Sequence, residues 1–138
     1  MTATQQATSK LVHQYYSAFN SGDSVAMLSL LTEDVLHDIN QGATEGGQVA
    51  FRDFLQRMDR CYKEEVTELE VFANAGGSRA AAEFYILGTY LNSDEGLPPA
   101  TGQTYRLRVG AFFDIRDGKI SRVTNYYNLQ DWLRQVGA

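Results

Sequence analysis

The sequence predicts an α+β fold in which one strongly curved, mostly antiparallel sheet wraps around N-terminal helices and encloses an internal pocket. Two observations indicate this fold. Patterns along the chain follow the order helix, helix, strand, helix and then four long strands in succession, which is an α+β plan. In addition, the strand expected at residues 34–42 starts among apolar residues and then contains His37, Asp38 and Asn40. Burying these groups unpaired would cost about 1–3 kcal/mol each, so we expect this strand to line a cavity.

The first two helices are indicated by apolar residues that recur at helical spacing. Helix one is expected from about Ser9, after a frayed polar start at residues 1–8. It ends near Gly22, which suits a left-handed cap. Asp23 is then an N-cap for a second, shorter helix.

The remaining elements follow from periodicity and turn residues. A turn at residues 32–34 leads into the polar strand, and a loop at 42–47 leads to a third helix at 49–62. Four strands and a final helix are expected at residues 63–73, 79–91, 104–115, 119–128 and 129–136. Asp117-Gly118, between the last two strands, is a strong hairpin signal. In the first of the four strands, alternation places Thr67, Leu69 and Val71 on one face.

Composition restricts the class of protein. The 138 residues are expected to form one domain, and 43% hydrophobic residues are enough for a core. The net charge of −5, without a basic cluster, argues against nucleic acid or an anionic membrane as a partner. A single cysteine and no long apolar run favour a cytoplasmic location.

No pattern for a metal or a cofactor is present in the sequence. The chain has only two histidines and no Cys/His cluster at metal-ligand spacing. It also lacks a phosphate-binding glycine loop and a nucleophile elbow. We therefore expect either an enzyme that needs no cofactor or a protein that binds a small ligand.

Several motifs resemble those of the nuclear transport factor 2-like superfamily. They are YYxxFNxGD at residues 15–23, LLxEDV at 30–35 and FFxIxDGKI at 112–120. Together with the order of elements, the resemblance covers nearly the whole chain and is greatest to the ketosteroid isomerase-related branch. The loop GLPPxTG at residues 96–102 also resembles SnoaL-like polyketide cyclases. This resemblance implies a cone-shaped fold with an internal pocket.

The resemblance also implies roles for particular residues. A ketosteroid isomerase uses a carboxylate base, and a tyrosine and a protonated acid hold the substrate oxygen. The family's tyrosine matches Tyr15, but its second acid falls on Gly110, which has no carboxyl group. Its base falls on Ile39, next to Asp38. Either a bulge turns Asp38 into the pocket, or His37 faces the pocket and acts as the base.

Further residues are candidates for contact with a substrate: Asn40, Tyr16, Arg108, Asn125 and Tyr127. Each also has a structural interpretation. The two tyrosines of helix one are suitable core aromatics. Arg106 and Arg108 alternate with apolar residues, so cross-strand ion pairs with Glu83 on a solvated face are the favoured interpretation. If Arg108 instead faces the pocket with Gly110, it could bind an anionic or carbonyl group.

The sequence thus favours cofactor-independent proton transfer on a small, mostly apolar carbonyl compound, of the isomerase, cyclase or lyase type. Asp38 or His37 is the expected proton acceptor, and Tyr15 is the expected hydrogen-bond donor to the enolate oxygen. The alternative is a non-catalytic ligand-binding or dimerisation domain of the same fold. A homodimer packed sheet against sheet is expected in either case, because a curved sheet leaves apolar residues uncovered on its open face.

Overall fold

Residues 2–137 are described by this computed structural model, and they form four helices and six strands. The helices are α1 (Ala3–Asn20), α2 (Ser24–Ser29), α3 (Gln48–Cys61) and α4 (Leu129–Gly137). The strands are β1 (Leu31–Asp38), β2 (Thr44–Gly46), β3 (Tyr62–Ala73), β4 (Arg79–Tyr90), β5 (Thr104–Arg116) and β6 (Lys119–Tyr127). The α+β prediction is therefore confirmed.

The strands form one curved, open sheet in the order β2-β1-β6-β5-β4-β3. All neighbours are antiparallel except β1 and β6, which are parallel, so the prediction of a mostly antiparallel sheet is confirmed. The predicted hairpin between β5 and β6 is also confirmed, because Asp117 and Gly118 both have positive φ values, 52° and 74°. Register shifts in β1, β3 and β5 are points at which bulges bend the strands.

The two faces of the sheet differ in their surroundings. The face that we call inner is covered by α1, α3 and α4. Strands β4 and β5 place buried residues on it, namely Phe84, Ile86, Leu107, Val109 and Phe113. The opposite, outer face carries the alternating, more exposed residues, namely Tyr85, Arg106, Arg108 and Phe112. The core lies between the inner face and the helices.

The expected frayed start is wrong for residues 2–8. Helix α1 begins at Ala3, because Thr2 and Gln5 form a capping box in which each side chain accepts a hydrogen bond from the other's backbone N–H. The Thr8 hydroxyl is buried and donates to the Gly77 carbonyl oxygen over 2.6 Å. The second turn of α1 is therefore tied to the β3–β4 connection. Met1 lies outside the described residues.

Three other local predictions are also wrong. The expected turn at residues 32–34 belongs to β1, and the expected loop at 42–47 contains the short edge strand β2. In β3, the bulge between Thr67 and Glu70, where Glu68 has a φ of 55°, shifts the alternation by one residue. Thr67 therefore pairs with Tyr85 on the outer face, whereas Val71 pairs with Ala82 on the inner face.

Candidate functional site

His37 and Asp38, at the end of β1, face opposite sides of the sheet. His37 lies beside Val123 on the inner face and is 2% exposed. The ring centroids of Phe51 and Phe54 in α3 lie 4.7 and 4.5 Å from its imidazole. Asp38 lies beside Thr124 on the outer face. Of the two expected proton acceptors, the inward-facing one is therefore His37.

The environment of His37 keeps its imidazole neutral. Burial lowers the pKa of His37 from 6.5 to about 4, and the negative charge of Asp38 opposes this only in part. Its Nδ1 atom is buried and has no hydrogen-bond partner within residues 2–137. A neutral imidazole has one nitrogen that accepts a proton or a hydrogen bond. At neutral pH this group can therefore act as a base or as an acceptor for a ligand.

Asp38 is instead held in a hydrogen-bonded network on the outer face. Its two carboxylate oxygens accept hydrogen bonds from the hydroxyls of Thr124, at 2.5 Å, and Thr44, at 2.6 Å. These bonds hold the pKa of Asp38 below its usual value. Arg122 donates to the Thr124 hydroxyl and makes a bidentate pair with Asp114 at 2.9 and 3.0 Å. This arrangement ties β1 and β2 to β6 and β5.

Asn40 and Tyr127 lie together where β1 and β6 end. The Asn40 side-chain oxygen accepts a hydrogen bond from the Tyr127 backbone N–H at 3.0 Å, while its Nδ2 is buried without a partner among the described residues. Tyr127 shares the inner face with Asn125, since the two pair with Val109 and Ala111 of β5. Burial and then the charge of Glu64 raise the pKa of Tyr127, and the Asn40 side chain opposes them. Asn40 and Glu64 therefore both influence the Tyr127 phenol.

Glu64 is an inner-face carboxyl group that the sequence analysis missed. It pairs with Gly88 of β4, and its Oε2 accepts a hydrogen bond from the Tyr105 hydroxyl at 2.5 Å. Burial raises the pKa of Glu64, and the hydrogen bond from Tyr105 opposes this. The alternation of Tyr62, Glu64 and Val66 contained the signal. The bulge after Thr67 hides this signal, because it reverses the faces of the residues that follow.

Tyr15 and Tyr16 of α1 belong to a buried aromatic cluster. Their ring centroids are 5.1 Å apart, and both rings pack edge-on against Phe113. The Tyr16 hydroxyl is buried without a hydrogen-bond partner within residues 2–137. Burial raises the pKa of both phenols, so each stays a protonated hydrogen-bond donor. Among the described residues, no hydrogen bond links either tyrosine to His37 or Asn40.

Arg108 lies on the outer face, away from His37. It donates from Nε and Nη2 to the Tyr85 hydroxyl at 3.0 and 2.6 Å. The neighbouring Arg106 guanidinium lies 3.6 Å from the centroid of the Tyr85 ring and pairs with Glu68 at 3.0 Å. The favoured solvated-face interpretation of both arginines agrees with this geometry, although the partners are Tyr85 and Glu68 rather than Glu83.

Gly110, where the isomerase comparison places a second acid, also lies on the outer face, opposite Tyr126. Its neighbours on the inner face, Val109 and Ala111, are apolar. A shift of one residue in the comparison therefore supplies no carboxyl group either. The inner-face carboxyl group described above, that of Glu64, comes from a different strand, β3.

Two surface clefts are present elsewhere on the described residues. One of about 370 Å³ lies between α1 and β3, and residues such as His13, Asn20 and Leu69 line it. The other, of about 390 Å³, lies beside the end of α3 and is lined by Arg57 and Asp94, among others. Neither cleft is lined by His37, Asn40 or Glu64, so an internal pocket at these residues stays a prediction.

Residues 2–137 contain no group of three or more histidine, cysteine, aspartate or glutamate side chains that could hold a metal ion. None of the helices in this range combines the length and apolar character needed to cross a membrane.

Comparison with known proteins gives consistent family matches. Residues 12–123 match the SnoaL-like domain family. A provisionally named polyketide cyclase of Pseudomonas putida is 58% identical, with a TM-score of 0.93 over 94% of this chain and 97% of that one. Another from Xanthomonas campestris is 55% identical, with a TM-score of 0.94 over 96% of this chain and 98% of that one.

A more distant match shows the fold alone. A nuclear transport factor 2-like protein of Burkholderia xenovorans is 19% identical, with a TM-score of 0.76 over 96% of this chain and 97% of that one. Among curated proteins, none matches the sequence.

Proposed function

Because this chain belongs to the SnoaL-like family and has the nuclear transport factor 2-like fold, we propose that it catalyses cofactor-independent proton transfer on a small, mostly apolar carbonyl compound. The observation that carries the proposal is the buried, neutral imidazole of His37, whose Nδ1 has no partner within residues 2–137. The names of the Pseudomonas and Xanthomonas relatives make cyclisation of a polyketide-like compound the reaction to test first.

The proposed proton acceptor is His37. A carbon next to a carbonyl group is acidic enough to lose a proton to a positioned base, and such catalysis contributes about 10²–10⁴-fold. The rings of Phe51 and Phe54 exclude water from the imidazole and hold it in the neutral form that can accept the proton. The charge of Asp38 favours the imidazolium that results. In this scheme Asp38 supports the base and is not itself the base.

The enolate oxygen needs hydrogen-bond donors. Asn40 follows His37 by three residues, and its buried Nδ2 is a donor without a partner within residues 2–137. Tyr127, whose backbone N–H donates to the Asn40 side chain, carries its phenol on the same inner face. Tyr15 and Tyr16 are protonated donors deeper in the core, on α1. Aimed donors of this kind stabilise developing oxygen charge by several kcal/mol in other enzymes.

Exchange of carbon-bound protons tests this proposal directly. Proton NMR in D₂O, with 2-tetralone and a series of small diketones, measures loss of the proton next to the carbonyl. We expect saturable exchange that falls at least about 100-fold in His37→Gln. The matched control is His13→Gln, because His13 is the other histidine and is exposed on α1. It should leave the exchange rate unchanged.

Two results would contradict the proposal. Saturable ligand binding without any exchange would indicate the alternative, a ligand-binding domain. Equal exchange in wild type and His37→Gln would remove His37 from the mechanism.

A further inference from the structure

We infer that Glu64 is a second proton-carrying group of the inner site, which donates a proton to a substrate oxygen while His37 takes one from carbon. This inference rests on the proposed function and adds an acid to its base. It requires a substrate with two carbonyl groups, one to form the carbon nucleophile and one to be attacked.

The first argument is the way in which the sheet brings Glu64 and Tyr105 together. They lie on β3 and β5 and face each other across Gly88 of β4. A Cβ atom on Gly88 would lie only 2.2 Å from Cζ of the Tyr105 ring. The missing side chain therefore gives the phenol room to cross β4 and donate to the Glu64 carboxyl at 2.5 Å.

The second argument is that this carboxyl group has a free oxygen. Its Oε2 accepts from Tyr105, but Oε1 has no hydrogen bond to any of the described residues. Oε1 is not among the buried polar atoms that lack a partner within residues 2–137, so it keeps contact with solvent. The contrast is Asp38, both of whose oxygens have partners. Oε1 is therefore available to a substrate oxygen.

The third argument concerns the groups around Glu64. The Trp132 ring of α4 lies 6.0 Å from the Tyr105 ring, and the Tyr127 phenol is close enough for the charge of Glu64 to raise its pKa. Asp94 and Arg57, whose charges also act on the pKa of Tyr127, pair with each other at 3.8 Å. Asp94 also accepts a hydrogen bond from the Tyr62 hydroxyl at 2.8 Å.

These surroundings determine the protonation of Glu64. None of the charged groups makes an ion pair with it, so burial favours its neutral form and raises its pKa. A neutral carboxyl group can give a proton to an oxygen, as a general acid must.

The chemical step balances without a cofactor. The C–H bond next to the first carbonyl breaks, and the proton goes to His37. The resulting carbon nucleophile forms a C–C bond to the second carbonyl carbon, whose oxygen becomes an alkoxide and takes the proton from Glu64. The imidazolium then returns a proton to the Glu64 carboxylate through solvent. The product is an isomer of the substrate, so no oxidant or reductant is needed.

The first test follows Glu64 itself and does not depend on turnover. Carboxyl ¹³C NMR, with the Glu64 signal assigned by its loss in Glu64→Gln, gives the titration of this group. We expect Glu64 to titrate above the ordinary glutamate value, because burial raises its pKa, and 2-tetralone to raise that pH further, because the ketone accepts a hydrogen bond from the protonated form. Tyr105→Phe should raise it as well, since the Tyr105 hydrogen bond lowers it. Titration at the ordinary glutamate value and no response to 2-tetralone would overturn the inference.

The second test separates the two groups. Proton exchange needs only His37, whereas aldol closure of 2,6-heptanedione needs both groups. Glu64→Gln should retain exchange, because the amide still donates a hydrogen bond, and should lose about 100-fold in ring closure, because the amide cannot release a proton. Glu65→Gln is the matched control and should change neither rate. Ring closure at the wild-type rate in Glu64→Gln would overturn the role of Glu64 and leave the role of His37 intact.

Discussion

Polar groups on the outer face of the sheet have hydrogen-bond partners, whereas some on the inner side have none. On the outer face, Asp38, Arg122 and Asp114 are joined by short hydrogen bonds. On the inner side, His37 and Asn40 each keep a buried polar atom without a partner within residues 2–137. An unpaired buried group costs about 1–3 kcal/mol, whereas exposed ion pairs contribute little. Groups kept unpaired at such a cost are expected where a ligand binds, so the difference indicates that the site belongs to the inner side.

Adjacent residues illustrate the contrast most directly. His37 and Asp38 follow each other in β1, yet one is a neutral imidazole among aromatic rings and the other a carboxylate held among hydroxyls. Successive side chains of a strand point to opposite faces, which is the whole cause of the difference. Three predictions test this contrast.

The largest effect is expected on assembly through the outer face. Leu36, Phe112 and Tyr126 are 47%, 40% and 58% exposed there. We predict a twofold homodimer that buries them, and Tyr126→Asp should convert it completely to monomer, because a charge would be buried in the interface. Val25→Asp, which alters an exposed apolar residue of α2, is the control.

Sedimentation at micromolar concentration measures the assembly, and a wild-type monomer would contradict the prediction. Among the tyrosines, Tyr90 and Tyr127 lie on the inner face and are not expected at this interface.

The second prediction concerns stability between pH 6.5 and pH 4. The pKa of His37 is lower in the folded protein, at about 4, than the ordinary value of 6.5. In this range the unfolded chain therefore binds a proton that the folded chain does not bind. The free energy of unfolding decreases as the pH falls. Since each pH unit is worth about 1.4 kcal/mol, His37 should account for about 3 kcal/mol of the loss.

Denaturant unfolding at several pH values measures the contribution of His37 to stability, as the difference between wild type and His37→Gln. The variant should lose less stability than wild type on going from pH 6.5 to pH 4. His13→Gln should follow wild type. Parallel curves for wild type and His37→Gln would show that His37 is not buried in the neutral form.

The smallest effect separates two glycines on neighbouring strands. Gly88→Ala places a methyl group against the Tyr105 ring and should destabilise the protein by about 2 kcal/mol, as overpacking does. Gly110→Ala faces open space on the outer side and should be neutral or stabilise slightly, since glycine weakens a strand. Thermal unfolding compares the two. Similar losses in both variants would mean that the close approach of Tyr105 to β4 is not maintained.

Much of the fold was predictable because its signals are local. Helix α3, strands β4 to β6 and the turn at Asp117-Gly118 follow from periodicity and turn residues within short windows. The prediction of a frayed start is wrong because Thr2 and Gln5 form a capping box. That pattern is also local.

The candidate site was predictable only in part. The interruption of an apolar strand by polar residues indicates a site at His37, Asp38 and Asn40. Which of them faces inward depends on the register between β1 and β6, which are far apart in sequence and pair in parallel with a bulge. Glu64 was missed because a bulge at Glu68 shifts the period-two pattern, and no residue type marks that bulge in the sequence.

Element order, helix ends and the polar interruption of β1 are therefore properties of short stretches of this chain, since propensity, capping and side-chain period act over a few residues. The placement of His37 between two phenylalanines and of Glu64 beneath Tyr105 depends on pairings between distant strands and helices. Those pairings determine burial, and burial lowers the pKa of His37 and raises that of Glu64. The chemistry of the site therefore follows from the three-dimensional packing, because the dielectric surroundings of a side chain come from residues that are remote in sequence.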